Sequence, residues 1–127
     1  MKLRILNNSL RLRLSQSEVR ELADQHSVRA TTHFPGGVTF SYAIRQTTGI
    51  DQPQATYSDQ GITLLLPATM ANDWANGNDI SLRASSPLPD GNELTILVEK
   101  DFQCLTDRPH EDESDLFPHP KQGDVAC

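Results

Sequence analysis

Residues that could bind a metal are concentrated towards the C-terminal end of the sequence. Thiol and imidazole groups, which hold zinc tetrahedrally, stand at Cys104, His110, His119 and Cys127. Carboxylates of the kind that binds calcium or magnesium stand at Glu111, Asp112, Glu113 and Asp115. The spacings match no compact zinc motif, and the acidic run lacks the glycine and the alternation of an EF-hand loop. We therefore expect a solvated acidic tail without a cofactor, with zinc at the two cysteines and two histidines as the alternative.

Arginine side chains form the second group of candidate binding residues. Arg11 and Arg13 alternate with leucines in one predicted strand, and Arg4 lies in the strand before it. Guanidinium groups bind phosphate or carboxylate groups at two points. If the sheet curls with this face inward, the ligand set is Arg4, Arg11, Arg13, Arg45 and Arg83. The alternative is an outer sheet face, along which the arginine stems lie with their charged ends in water.

The sequence contains no pattern typical of nucleophilic catalysis. Ser9, Ser15 and Ser17 lie at turns and at a helix start, where hydroxyl groups bond the backbone. There is no Gly-x-Ser-x-Gly motif and no glycine-rich phosphate loop. We therefore expect no catalytic residues.

The overall charge narrows the choice of partners. The 127 residues carry a net charge of −6, which repels nucleic acid and anionic membranes, so we expect neither as a partner. No apolar stretch approaches the roughly 18 residues of a membrane span. With two cysteines a disulfide framework is not implied, and the expected location is the cytoplasm. Basic residues crowd the first part of the chain and acidic residues the tail, which favours an acidic tail folded over a basic face.

Apolar periodicity and turn residues predict the same series of elements twice. The first series is a strand at Lys2–Leu6, a strand at Leu10–Leu14, a helix at Gln16–Gln25, a strand at Ser27–Phe34 and a strand at Val38–Arg45. Ser15 and Glu18 form a capping box at the start of the helix. The second series is a strand at Gln54–Ser58, a strand at Ile62–Leu66, a helix at Ala68–Ala75, a strand at Asp79–Ala84 and a strand at Glu93–Phe102.

The two series align at a constant offset of 52 positions. The alignment places Leu12 with Leu64, Leu22 with Trp74, and Val28 with Ile80. It predicts an α+β fold of duplicated strand-strand-helix-strand-strand units, which form a mainly antiparallel curved sheet or an eight-stranded barrel. The expected organisation is a single domain, 1–127, with unit one at 1–46, unit two at 54–102 and an extended acidic tail at 103–127. The tail is expected to pack through Leu105, Leu116 and Phe117.

Two resemblances bear on function. The segment Val98-Glu-Lys-Asp-Phe-Gln-Cys-Leu105 and the acidic tail with Phe117-Pro118 resemble a family of small, functionally uncharacterised bacterial proteins. That resemblance covers most of the chain and implies a complete single-domain protein, without an activity or catalytic residues. The duplicated, charge-lined arrangement also resembles the triphosphate-tunnel enzymes in outline. Their metal-holding Glu-x-Glu-x-Lys strand corresponds to Ser9-Leu-Arg-Leu-Arg13 here, which lacks the carboxylates needed for metal-assisted hydrolysis.

These observations predict a small, soluble cytoplasmic binding or adaptor domain without catalytic activity, acting on a protein partner. The alternative is an enzyme or carrier for a phosphate- or carboxylate-bearing small molecule, which the arginines would bind in a barrel or cleft.

Overall fold

The computed structural model of the protein describes residues 1–103 and 114–118. The first half of the chain forms β1 (Lys2–Leu6), β2 (Ser9–Leu14), α1 (Gln16–Gln25), β3 (Ser27–His33) and β4 (Thr39–Thr47). The second half forms β5 (Gln54–Ser58), β6 (Gly61–Pro67), α2 (Ala68–Asn76), β7 (Ser81–Pro87) and β8 (Glu93–Lys100). The predicted order of elements is confirmed, and α1 has the bounds that its capping box indicates.

Local turn chemistry accounts for four antiparallel hairpins, which pair β1 with β2, β3 with β4, β5 with β6 and β7 with β8. Asn7 has a φ of 50° in the first turn, a conformation that asparagine tolerates and that tight hairpins require. Gly36 and Gly37 supply positive φ in the second turn. The hairpins are therefore products of nearby residues.

The hairpins assemble into two four-stranded mixed sheets. Sheet 1 has the order β1-β2-β8-β7, and sheet 2 has the order β3-β4-β6-β5. The central pairs, β2 with β8 and β4 with β6, are parallel. The α+β class is confirmed, but among the described strands there is no closed barrel, and the two sheets replace the predicted single curved sheet. Short connections favour antiparallel neighbours, and they say nothing about strands far apart in the chain.

Each sheet combines one hairpin from each half of the chain. The first hairpin of one half lies beside the second hairpin of the other half in both sheets. Neither half therefore holds both hairpins of a sheet, and the two halves share their hydrogen-bonded ladders.

The core is one cluster to which both sheets and both helices contribute. Its largest fully buried members are Leu12, Leu14, Leu22, Ile44, Leu64, Leu66, Ile96 and Val98. In sheet 1 the strand register places Leu12 beside Val98, and in sheet 2 it places Ile44 beside Leu64. These alternate strand residues share one face, which faces the core.

The two helices pack against each other and against the core. Helix α1 begins at the Ser15 cap, where Ser15 and Glu18 form the predicted capping box, and it buries Val19 and Leu22. Helix α2 follows Pro67 without a side-chain cap and buries Ala71 and Trp74. Within the described part of the chain, neither helix is long and apolar enough to cross a bilayer.

The two halves differ in the connection between helix and third strand. The sequence alignment places Val28 with Ile80, but the structure contradicts this match. Val28 pairs with Ile44 and is buried, and the residue in the corresponding register is Leu82, which pairs with Val98 and is buried too. Ile80 lies before β7 and is 41% exposed. Two additional residues after α2 shift the register, so the constant offset of 52 positions ends there.

The described tail residues, 114–118, form a short strap across the start of α1. Phe117 forms an isolated parallel bridge with Phe102, and Leu116 is buried. Asp115 accepts hydrogen bonds from the backbone N–H and the hydroxyl of Ser17 at the start of α1. These bonds hold the pKa of Asp115 below its ordinary value, with the Ser17 side chain as the main cause. Leu105, which was predicted to pack with them, lies outside the described residues.

Candidate functional site

Five basic side chains share the outer face of sheet 1, and we call this group the basic face: Lys2, Arg4, Arg11, Arg13 and Arg83. One row across the sheet runs Arg4, Arg11, Leu97, Arg83, and the next runs Lys2, Arg13, Glu99, Ser81. Alternation along the strands turns Leu10, Leu12 and Leu14 to the core and leaves the arginines between them on the opposite face.

Glu99 organises the centre of the basic face. The Nε atoms of Arg11 and Arg13 both donate to its Oε1 atom, at 2.5 and 2.8 Å. The Glu99 side chain is 13% exposed, whereas those of Arg11 and Arg13 are 31% and 27% exposed. One carboxylate therefore orients two guanidinium groups through their Nε atoms, and within residues 1–103 and 114–118 their terminal nitrogens have no hydrogen-bond acceptor. Two positive charges share one negative charge, so the centre keeps a positive excess.

The rim of the basic face differs from its centre. Arg4 and Arg83 are exposed and stand on the two edge strands, β1 and β7, and neither has an ion pair within residues 1–103 and 114–118. Lys2 Nζ lies 3.0 Å from Asp101 Oδ2. Exposed guanidinium groups flanking an organised central pair are suited to bind several negative charges at once.

Arg45 does not join the other four candidate arginines. It lies on β4, where its register partners are Ser27 and Leu65 of sheet 2. Two cavities beside the helices, of about 500 and about 450 Å³, are lined by none of the five candidate arginines. The described strands form no closed barrel around the arginines, and four of the five candidates lie on one face of sheet 1.

The predicted zinc ligands, Cys104, His110, His119 and Cys127, all lie outside the described residues. Within the described ranges, no three histidine, cysteine or acidic side chains are grouped closely enough to hold a metal ion. Zinc at those four residues therefore stays a prediction.

Lys100 is a buried cation that sequence reasoning did not single out. It is 8% exposed, it donates to the Gly77 carbonyl at 2.9 Å, and it lies 5.5 Å from the ring centroid of Trp74 and 5.8 Å from that of Phe117. Burial lowers the pKa of Lys100, and the negative charge of Asp79 partly opposes this shift. Strand alternation points Lys100 to the core with Val98, which is a signal that the sequence contained.

Glu99 is a second residue that sequence reasoning missed. Alternation in β8 could have placed it on the outer face, but only the parallel pairing of β2 with β8 brings it to Arg11 and Arg13. A search for arginine partners within the same hairpin could not find it.

Comparison with known proteins supplies a family and no activity. The model of a family described as a family of unknown function (DUF7009) matches residues 1–121. No curated protein and no solved structure matches the chain.

Proposed function

The chain belongs to this family of unknown function, and we propose that it is a binding domain whose basic face takes an extended anionic partner, namely an acidic segment of another protein. The observation that carries the proposal is the arrangement of four arginines on one sheet face around Glu99. Local positive charge attracts such a segment although the net charge of the chain is −6.

The spread of the arginines favours an extended partner over a single small anion. Arg4 and Arg83 stand on opposite edge strands of a four-stranded sheet. Three spacings of about 4.8 Å separate them, or roughly 14 Å across the sheet. A segment with several carboxylates can reach both edges and the central Arg11 and Arg13 pair at once.

A second candidate function is the binding of one phosphate- or carboxylate-bearing small molecule. The observation that favours it is the central pair alone, because Glu99 fixes the guanidinium groups of Arg11 and Arg13 side by side. Binding of such a ligand would require these two arginines and would not change when Arg4 and Arg83 are substituted. The two candidates therefore differ in which arginines matter.

The proposal also includes a cytoplasmic location, the absence of catalysis and a duplicated unit. The two cysteines and the missing nucleophile motifs support the first two points. The repeated element order and the exchange of hairpins between sheets support two copies of one unit, at 1–46 and 54–102.

Fluorescence anisotropy with a labelled glutamate-rich peptide tests the main proposal. We expect binding that weakens as salt is raised, because screening reduces the attraction between charges. Arg4→Ala with Arg83→Ala should weaken it roughly threefold to tenfold, since each exposed ion pair contributes up to about 1 kcal/mol. The matched control is Arg29→Ala with Arg45→Ala, which removes the same charge from the outer face of sheet 2. Equal losses in both double variants would refute a specific basic face.

Titration with inorganic tripolyphosphate distinguishes the second candidate. If tripolyphosphate binds stoichiometrically, requires Arg11 and Arg13, and binds equally well to the Arg4→Ala with Arg83→Ala variant, the ligand is a small anion and the acidic segment is refuted. Binding of the peptide that needs all four arginines supports the extended partner.

A further inference from the structure

Leu97 is an apolar residue surrounded by the basic face. It lies on β8, and the strand register places it between Arg11 of β2 and Arg83 of β7. Alternation turns its neighbours Ile96 and Val98 to the core, so the Leu97 side chain stands on the outer face, where it is half-buried. A leucine in the middle of a charged surface keeps apolar area in water that a partner can cover.

The fold does not require a leucine at this position. The corresponding residue of sheet 2 is Ala43, which lies between Thr63 and Arg29 in the same register. Leu97 and Ala43 both face away from the core, so packing of the interior does not select the size of either side chain. The larger side chain of Leu97 is therefore available for contact with another molecule.

Glu99 makes the middle of the basic face unfavourable for a further negative charge. It follows Leu97 by two residues in β8 and shares the outer face. Its side chain is 13% exposed, and its Oε1 atom accepts hydrogen bonds from Arg11 and Arg13. A partner carboxylate over Leu97 would lose water against an apolar side chain and would approach this like charge. The middle of the face therefore favours an apolar side chain of the partner.

The spacing of the row matches the repeat of an extended segment. At about 4.8 Å per strand, Arg11 and Arg83 are roughly 10 Å apart on either side of Leu97, and Arg4 and Arg83 are roughly 14 Å apart. In an extended segment, side chains two residues apart point to the same side, and residues i−2 and i+2 are about 13 Å apart. An apolar residue i over Leu97 therefore brings carboxylates at i−2 and i+2 within reach of arginines on both sides.

We propose that the basic face selects an acidic segment with an apolar residue at its centre, in the order acidic, any, apolar, any, acidic. Leu97 contacts the apolar residue and determines this specificity. The inference rests on the proposed binding of an acidic segment and specifies which segment binds.

Three labelled peptides test this specificity by fluorescence anisotropy at low salt. They carry Glu-Ala-Leu-Ala-Glu, Glu-Ala-Ser-Ala-Glu or Glu-Ala-Glu-Ala-Glu between identical uncharged flanks. The leucine peptide should bind the full chain roughly three to ten times more tightly than the serine peptide, because it removes apolar area of both partners from water. The peptide with the third glutamate should bind more weakly than the leucine peptide despite its additional charge.

Two matched threonine variants locate the preference. Leu97→Thr should reduce the ratio between the leucine and serine peptides to less than about twofold, because the apolar contact is lost. Threonine suits an outer strand position, so this variant should retain the fold, which circular dichroism checks. The control is Leu6→Thr, which removes a leucine that is 58% exposed and lies beside Ser9 in another row of the same face. The control should leave the ratio unchanged.

The outcomes separate this inference from the proposed function. If the three peptides bind equally well and Arg4→Ala with Arg83→Ala weakens all of them, the basic face binds acidic segments without the inferred specificity, and the inference is wrong. A preference for leucine that survives in Leu97→Thr would refute it as well. If no peptide shows binding that depends on Arg4 and Arg83, the proposed function itself fails, and the inference fails with it.

Discussion

Sheet 1 and sheet 2 have equivalent arrangements of hairpins, but their outer surfaces differ in charge. Their inner faces correspond residue by residue: Leu12, Val98 and Leu82 in sheet 1 match Leu64, Ile44 and Val28 in sheet 2. On the outer face, the row Arg4, Arg11, Leu97, Arg83 matches the row Thr56, Thr63, Ala43, Arg29. The shared core imposes similar apolar residues on both inner faces, whereas solvent imposes little on the outer ones. The outer difference is therefore where function is best sought.

A second difference lies inside the molecule, next to the helices. Gln46 and Lys100 have the same register position, opposite Leu66 and Leu14, and each is 8% exposed. Gln46 is neutral and donates to the Leu22 carbonyl at 2.8 Å and to Asn72 Oδ1 at 3.2 Å. Lys100 brings a charge to the corresponding place. At equivalent positions, one sheet therefore buries a neutral amide and the other buries an amine that can carry a charge. Only the second contribution to stability depends on pH.

The largest losses of stability are expected from core substitutions, and they should be equal in the two sheets. Leu12→Ala and Leu64→Ala each remove a buried side chain from the common core, and each should lower the free energy of unfolding by about 2–5 kcal/mol. Urea denaturation followed by circular dichroism measures both. A loss confined to one variant would contradict a core shared by both sheets.

Substitutions at the first residues of β6 and β2 should lower the stability of the protein by unequal amounts. Gly61 has a φ of +143°, and a Cβ atom there would lie 1.7 Å from the Ser41 carbonyl oxygen. Gly61→Ser should therefore lower the free energy of unfolding by about 2–3 kcal/mol. Ser9 occupies the corresponding place in β2, and Ser9→Gly should cost only about 1 kcal/mol. Equal losses in the two variants would show that the close approach at Gly61 is relieved at little cost.

Substitutions of Gln46 and Lys100 should differ in how much stability they cost and in how that cost depends on pH. Gln46→Met leaves the Leu22 carbonyl without its side-chain donor and should cost about 1–3 kcal/mol. Lys100→Met removes a buried charge, and at neutral pH it should cost less than Gln46→Met.

Alkaline titration sharpens the same comparison. The pKa of Lys100 is lowered by burial, so the folded state binds fewer protons than the unfolded state between that lowered pKa and 10.5. Stability of the wild type should therefore rise relative to Lys100→Met as pH increases through this window. Burial, together with the charge of Glu18, raises the pKa of Tyr42, which lowers stability above pH 10.0 in both proteins and cancels in the difference. A flat difference would contradict a buried charged Lys100.

The smallest effect concerns the two helix starts. Helix α1 has the Ser15 and Glu18 capping box, and α2 begins after Pro67 without a side-chain cap. Ser15→Ala should cost about 1 kcal/mol, because the backbone N–H of Glu18 loses its acceptor. Thr69→Ala near the start of α2 is the control and should change the free energy of unfolding by less than about 0.5 kcal/mol. Equal losses would contradict the difference in capping.

Much of the local structure was predictable because it depends on neighbouring residues. The capping box specified the start of α1, and alternation with turn residues specified the hairpins to within one to three residues at most ends. The end of β7 was missed. The predicted strand ends at Ala84, but Ser85–Pro87 continue β7 and pair with β8, and Pro87 is tolerated because β7 is an edge strand.

The candidate site was predictable only in part. Alternation in β2 placed Arg11 and Arg13 on one face, and the hairpin register brought Arg4 beside Arg11. Their partner Glu99 and the fourth arginine, Arg83, come from the other half of the chain.

The sequence by itself determined the elements of this protein, their order and the side of each strand that is apolar, because side-chain periodicity and turn chemistry act over a few residues. Only the tertiary structure decided that β2 lies parallel to β8 and β4 parallel to β6. Backbone ladders pair strands through N–H and C=O groups that every residue carries, so the choice of a distant partner is made by packing of the whole core. That choice separated the chain into two sheets and joined Glu99 to the arginines.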